Sequence, residues 1–254
     1  MLNENLYDSI FHRKSIRNYD MNSDLNIEKV KEILDNTERL NKTPVEFKII
    51  TSNYLNTIYM KPAPYYIAAF SENSNSGLNN IGFILEQLDL YFSKNNIGAC
   101  WEGIPRAKNK LKNLSELKYG IVLAFGKTKE KIHRKDKTEF IRKPLDEISN
   151  FNHIKDNDIT IRILESLQYA PSASNTQPWY VYFNNNNSID YYCKKPSFID
   201  KKIGMGNFNQ IDAGIGLLCL CLGIKNENKE YTINFDDLKN NLDDYSQICT
   251  INIE

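Results

Sequence analysis

Apolar residues recur at helical spacing from the start of the chain. Leu6, Ile10 and Phe11 in LYDSIF predict a short helix leading into the arginine-bearing stretch HRKSIRNYD. Ile27, Val30, Ile33 and Leu34 repeat that period in IEKVKEILDNTERL and predict a second helix. VEFKIITS then reads as a strand. After Pro62 and Pro64, YYIAAF reads as a buried strand, and the polar run SENSNSGLNN as the loop that follows it. IGFILEQLDLYFSKN places Ile81, Leu85, Leu88 and Phe92 on one stripe and predicts a long helix, which breaks at NNIGACWEGIP. KYGIVLAFGK is a further buried strand.

The pattern starts again near Ile141. DITIRILESLQYA is helical until Pro171, whose ring cannot continue the hydrogen-bond ladder. WYVYF and SIDYYC, joined by asparagines that tolerate left-handed turn conformations, read as a hairpin. FNQIDAGIGLLCLCLGI predicts an apolar helix whose Gly214 and Gly216 suit close packing against another helix. It reads as too short to span a membrane.

The two stretches echo each other. Arg13-Lys14 recurs as Arg142-Lys143, EILDN as RILES and NIGFILEQL as DAGIGLLCL, at offsets of 129, 130 and 132 residues. Three matches in one order at nearly one offset point to an internal duplication. The boundary falls between residues 1–140 and 141–254.

Bulk properties narrow the function. Thirty-two Lys and Arg balance thirty-two Asp and Glu, so nucleic acid and anionic membrane surfaces are not expected partners, both demanding a basic excess. Anion binding must then come from a local cluster. The N-terminal residues lack the charge and apolar core of a secretory signal, and no apolar run reads as long enough for a span. Five cysteines (Cys100, Cys193, Cys219, Cys221, Cys249) without framework spacing fit a reducing cytoplasm. Cys219 and Cys221 read as core. No spacing links His12, His133 and His153 as metal ligands, and GMGNFN is not a dinucleotide fingerprint.

Two stretches carry candidate chemistry. In an extended RKSIR segment, Arg13, Ser15 and Arg17 would point to one side and clamp a phosphate, whose oxygens match arginine forks. The competing reading is a solvated basic patch. In APSASNTQPW, small residues after Pro171 let a flat ligand approach the backbone, with Ser172, Ser174 and Asn175 supplying donors and acceptors. Gln177 is expected to be extended by the proline after it, and Trp179 and Tyr180 to start a strand. A plain helix-to-strand loop is the alternative there.

R-x-S-I-R together with A-P-S-x-x-N-x-Q-P-W resembles the nitroreductase family of FMN-dependent oxidoreductases. NNIGACWEGIP resembles that family's segment beside the flavin ring, and VLAFGKTKEKIHRK its last core strand and basic turn. The resemblance implies an α+β, nitroreductase-like fold. It implies FMN with its phosphate on Arg13, Lys14, Ser15 and Arg17, joined by Arg134. Trp101, Glu102 and Gly103 would lie at the ring edge, and Pro171, Ser172, Ala173, Ser174 and Asn175 would touch the ring or ribityl chain. NAD(P)H and a nitroaromatic or quinone-like acceptor are the implied partners in a ping-pong cycle, with no residue singled out as catalytic. Glu102 departs from the family pattern, where many members carry an uncharged residue.

Family members assemble each site from two subunits. Here the first half keeps the clamp but reads TERLNKTPVEF at the Ser/Asn-loop position, while the second keeps PSASNTQPW but reads RKPLD at the clamp. The expected molecule is therefore a cytoplasmic monomer, two tandem half-units intertwined as one globule with a single FMN in the cleft. Arg17→Ala is accordingly expected to weaken FMN retention far more than Arg142→Ala. A non-catalytic flavin- or nucleotide-binding protein on the same fold is the alternative.

Overall fold

Two four-stranded antiparallel sheets, one in each half of the chain, organise this computed structural model. It describes residues 5–22, 24–56, 61–72, 74–103, 106–154, 157–184, 187–197, 207–236, 238 and 242–254. The chain divides into two units, Met1–Glu139 and Phe140–Glu254. Of GMGNFN, residues 204–206 lie outside the described residues, as do residues 185–186 of the asparagine turn.

The first unit runs α1 (Tyr7–Ile10), α2 (Ile27–Asp35), β1 (Val45–Ile50), β2 (Leu55–Asn56), β3 (Tyr65–Ser71), α3 (Asn75–Lys94), β4 (Gly98–Glu102), β5 (Arg106–Ala107), α4 (Asn109–Lys112) and β6 (Lys118–Gly126). Its sheet order is β1-β3-β6-β4. One face meets α3, where Phe92 stacks on Phe125 at 4.9 Å. On the other face Tyr66, Ala68, Phe70, Val122 and Ala124 form a second core with Ile16, Tyr19, Leu55 and Leu111. Burial on both faces is why β3 reads as an unbroken apolar run.

The polar run before α3 is not the loop its composition suggests: the helix starts at Asn75, capped by Ser74, whose Oγ accepts the Gly77 N–H at 3.1 Å. Nearly all of α3 is buried, polar residues included. An irregular segment, residues 37–43, lies along it and needs hydrogen-bond partners. Asn80 accepts the Leu40 N–H at 2.9 Å and donates to the carbonyls of Asn41 and Thr43. Gln87 likewise accepts from Glu38 N and donates to Glu38 O. Side chains that look solvated in sequence here satisfy a buried backbone.

The second unit runs α5 (Leu145–Ile148), α6 (Asp158–Gln168), β7 (Trp179–Phe183), β8 (Ser188–Lys194), α7 (Phe208–Asn226), β9 (Tyr231–Asn234) and β10 (Tyr245–Ile253). Its sheet order is β7-β8-β10-β9. Helix α7 crosses α6 where glycines permit it. A Cβ on Gly216 would lie 2.6 Å from Tyr191 Oη, 2.8 Å from Trp179 Cε3 and 2.9 Å from Leu167 Cδ1. Gly223 makes a second close approach, to Ser166 and the Ile163 carbonyl of α6. The expectation that α7 is too short for a span is corrected: its 19 residues suffice by length and composition. Its surface is instead buried in the protein, with Cys219 and Cys221 both in the core.

The short elements β2, β5, α1, α4 and α5 aside, both units follow one plan. Each runs helix, strand, strand, helix, strand, strand, with the fourth strand lying between the second and third in the sheet.

Candidate functional site

Residues 12–16 are laid down by backbone pairing. Ile16 N donates to Ala99 O of β4 at 2.9 Å, Ser15 bridges Ala99, and Arg13 bridges His133. Ile16 is fully buried and sits where a Cβ on Gly98 would come within 2.8 Å of it. This registry also brings the rings of His12 and His133 to 6.5 Å, although no spacing had linked them.

The three clamp side chains do not share one exposure. Arg13 turns inward, 3 % exposed, with Nε 3.0 Å from Asp89 Oδ2 on α3. Ser15 is half-buried, its Oγ 3.5 Å from Arg13 Nη2, whereas Arg17 is exposed and Lys14 half-buried. Arg134 joins them from 121 residues away: its backbone N–H donates to His12 O at 2.8 Å and its Nη1 to the Arg13 carbonyl. Burial lowers the Arg134 guanidinium pKa, and the neighbouring charge of Arg13 lowers it further. Lys14, Ser15, Arg17 and Arg134 are a set of cationic and hydroxyl donors, and in that chemistry the residues fit a phosphate.

Asp89 carries no motif that singles it out in the sequence. In the fold its Oδ2 receives Arg13 and also the Trp101 Nε1–H at 3.1 Å, and that indole N–H reaches Glu86 Oε2 at the same distance. Burial pushes the Asp89 carboxyl upward while Arg13 pulls it back.

Glu102 is the next residue along β4 and so faces the other side of the sheet. It is 2 % exposed, and its Oε2 has no hydrogen-bond partner among the described residues. Burial pushes its carboxyl up to about 7 against the opposing pull of Arg17. Gly103, beyond the strand end, is exposed. A carboxyl raised in the folded state keeps a proton that the unfolded chain loses near 4.5, so its contribution falls as pH rises from 4.5 to about 7. Glu102→Gln is therefore expected to gain stability over the parent across that window and level off above it. Thermal unfolding of both proteins between pH 4 and 9 measures this; parallel curves would reject it.

In the second unit the Pro171–Gln177 stretch leaves α6 as a loop with three left-handed residues, Ser174 (φ 50°), Asn175 (φ 57°) and Gln177 (φ 47°). The extended Gln177 expected before Pro178 is thus corrected. Four hydrogen bonds hold it instead: its N–H on Ser172 Oγ, its Oε1 accepting Lys143 N–H, its Nε2 on Asn175 O, and its carbonyl accepting from Lys143 Nζ. Arg142 donates to Asn175 Oδ1 at 2.7 Å and to Tyr169 O at 3.1 Å, and Asn175 Nδ2 donates to Ile141 O. The segment RKPLD therefore braces this loop. Ala173 N–H is held at 3.0 Å by both oxygens of Asp212 on α7, a residue the sequence reading passed over. Ser174 stands exposed at the tip, while Pro171, Ser172 and Ala173 are half-buried. Trp179 begins β7, fully buried as expected.

Sheet order, helix placement and the two motif-bearing segments define an α+β oxidoreductase fold of the nitroreductase type. A family model described as "Putative TM nitroreductase" matches residues 5–224, and the chain belongs to that family. Among solved structures, a "putative nitroreductase" from Thermotoga maritima MSB8 superposes with a TM-score of 0.68 at 21 % identity, over 98 % of this chain and 95 % of that one. A "Putative NADH dehydrogenase/NAD(P)H nitroreductase" from Parabacteroides distasonis ATCC 8503 covers 56 % of this chain and 99 % of its own, with 18 % identity and a TM-score of 0.43. An "FMN-dependent Nitroreductase" from Clostridium difficile R20291 covers 50 % and 90 %, with 13 % identity and a TM-score of 0.41. No curated protein sequence matches the chain.

Proposed function

We propose that the chain is an FMN-dependent oxidoreductase passing reducing equivalents from NAD(P)H to a small electron-poor acceptor, nitroaromatic or quinone-like, by a ping-pong mechanism. Family membership supports the class of reaction. The observation that carries the cofactor is the arrival of Arg134 on the RKSIR segment, where its guanidinium binds the Arg13 carbonyl and its backbone N–H the His12 carbonyl, next to the half-buried Ser15.

FMN, when bound, supplies hydride acceptance at N5 and its onward transfer. Arg17, Ser15, Lys14 and Arg134 would hold its phosphate, with Arg13 anchoring the segment from inside through Asp89. Trp101, Glu102 and Gly103 would meet the ring edge through the end of β4, since the Trp101 and Glu102 side chains leave that strand on opposite faces. The Pro171–Asn175 loop would offer the ring or ribityl chain its exposed tip and backbone, its Asn175 side chain being engaged by Arg142 and Ile141.

The shared element and strand order of the two units supports an internal duplication. The commitment of Arg142 to the loop supports a single phosphate clamp, hence one FMN per chain. Fusion of two such units supports a monomer. Among the described residues no disulfide joins the five cysteines, and all five are buried, which supports residence in the reducing cytoplasm.

Purified protein is expected to be yellow and to bleach with NAD(P)H under anaerobic conditions. Protein that stays colourless with added FMN overturns the cofactor; yellow protein that never bleaches is the non-catalytic flavin-binding alternative. Losing a charged hydrogen bond costs about 1.5–3 kcal/mol. Arg17→Ala is thus expected to weaken FMN roughly 10- to 100-fold while leaving riboflavin, which lacks the phosphate, unaffected. Fluorescence titrations with both flavins test this, and an equal loss for the two would remove Arg17 from the clamp. Arg142→Ala is expected to disturb the loop and leave the FMN-to-riboflavin preference intact.

A further inference from the structure

Asn80 and Asp212 occupy one place in the shared plan of the two units. Each lies within the first two turns of its unit's long helix, α3 or α7, and each is buried, 0 % and 3 % exposed. Each accepts a backbone N–H from the segment joining its unit's leading helix to its first strand. Leu40 N–H reaches Asn80 Oδ1 at 2.9 Å; Ala173 N–H reaches both Asp212 oxygens at 3.0 Å. The clasp is the same in kind, but one is an amide and the other an acid.

An amide side chain does not titrate; a carboxyl does. Asp212 has no ion pair among the described residues, and burial pushes its carboxyl up to about 8 against the pull of the Ala173 N–H. From β8 it is faced by Cys193, a thiol that burial and Asp212 itself keep protonated. Tyr191 of the same strand is a phenol held neutral by burial, its hydroxyl donating to Ala213 O beside Asp212. The neighbouring face of α6 presents Ile163, Ser166 and Leu167. Arg142 and Lys143 grip Asn175 and Gln177 of the loop rather than Asp212.

We propose that Asp212 is the positioning residue of the Pro171–Asn175 loop and that its proton sets the charge behind this loop, felt by the flavin the loop would contact. The proposal rests on the flavin reading above. With the proton present, a neutral acid holds Ala173. With the proton gone, a buried negative charge stands one hydrogen bond from the loop and opposes electron uptake by a nearby group. Reduction is then favoured when Asp212 takes a proton from solvent: two electrons pass from the reductant to the flavin, and one additional proton stays on the Asp212 carboxylate. Asp212→Asn reproduces the clasp of the first unit, keeping an oxygen for Ala173 N–H and losing the proton site.

The test is a dithionite titration of the FMN-loaded protein at pH 6 to 10, read as midpoint potential. Parent protein is expected to gain one proton per two electrons in the slope above about pH 8. Asp212→Asn is expected to lack that break at equal flavin content. Identical slopes for the two proteins at every pH overturn the proposal. A second measurement needs neither flavin nor the variant: the Ala173 amide resonance of flavin-free parent protein should titrate near pH 8, and an invariant resonance overturns the clasp. A protein that takes up no FMN but shows that titration overturns the flavin reading, and with it the charge effect on the flavin, while the Asp212 clasp stands.

Discussion

Arg13→Ala is expected to destabilise the first unit by about 3–5 kcal/mol, the range for breaking a buried ion pair from one side. Both partners are 3 % exposed and 3.0 Å apart. Removing the guanidinium leaves the Asp89 carboxylate in the interior with the Trp101 indole N–H as its remaining named donor. Its pKa, already raised by burial, then rises further. The folded variant must hold a proton that the unfolded chain has lost, so its deficit widens as pH rises from the ordinary carboxylate range. Denaturant unfolding at pH 5 and pH 8 measures both the loss and its growth. Arg13→Ala combined with Asp89→Asn should recover part of the loss at pH 8, because the unpaired charge is gone. A double variant no more stable than Arg13→Ala would show that the guanidinium matters through packing rather than charge.

Gly216→Val is expected to cost about 3 kcal/mol, at the upper end for overpacking a core. Three groups from different elements converge on this position: Tyr191 Oη, Trp179 Cε3 and Leu167 Cδ1, each under 3 Å from where a Cβ would stand. Trp179 and Tyr191 are fully buried and lie in the sheet, so neither can swing aside without moving a strand. Tyr191 also donates its hydroxyl to Ala213 O of α7 at 2.8 Å, a bond the intrusion would break. Tyr191→Phe removes the nearest obstructing atom. It should therefore soften the effect of Gly216→Val, although alone it sacrifices that hydrogen bond, worth about 1 kcal/mol. Thermal unfolding of the three variants completes the cycle, and strict additivity would place the clash elsewhere.

Elements whose burial is uniform were legible from sequence. Strand β3 is buried on both faces and α7 nearly all round, and both read as apolar runs. Short β9 and the irregular β10 were not read as strands: their residues are mostly half-buried or exposed, and β10 shifts register between Gln247 and Cys249. The start of α3 reads as loop because Asn79 and Asn80 are polar yet buried, and Asn80 serves a segment that has no ladder of its own. Gln177 was misread because the preference imposed by Pro178 is weaker than four simultaneous hydrogen bonds.

The candidate site divides in the same way. Residue types that make an anion clamp or a flat-ligand loop were visible as strings, and the family resemblance gave them roles. That Arg13 is consumed by Asp89, and Arg142 by Asn175, was invisible, since nothing in RKSIR or RKPLD says what lies across from it.

By itself, the sequence determined the periods of its helices and strands, the recurrence of one pattern in two halves, and where arginines, serines and asparagines cluster. These are local properties, set by residues within a few positions of each other. Tertiary structure alone decided which polar groups lost water and what replaced it. Arg134 meets Arg13 across 121 residues, and Asp212 finds Ala173 from another element. A buried group's charge and hydrogen bonds depend on neighbours brought by the fold, and sequence distance carries no record of them.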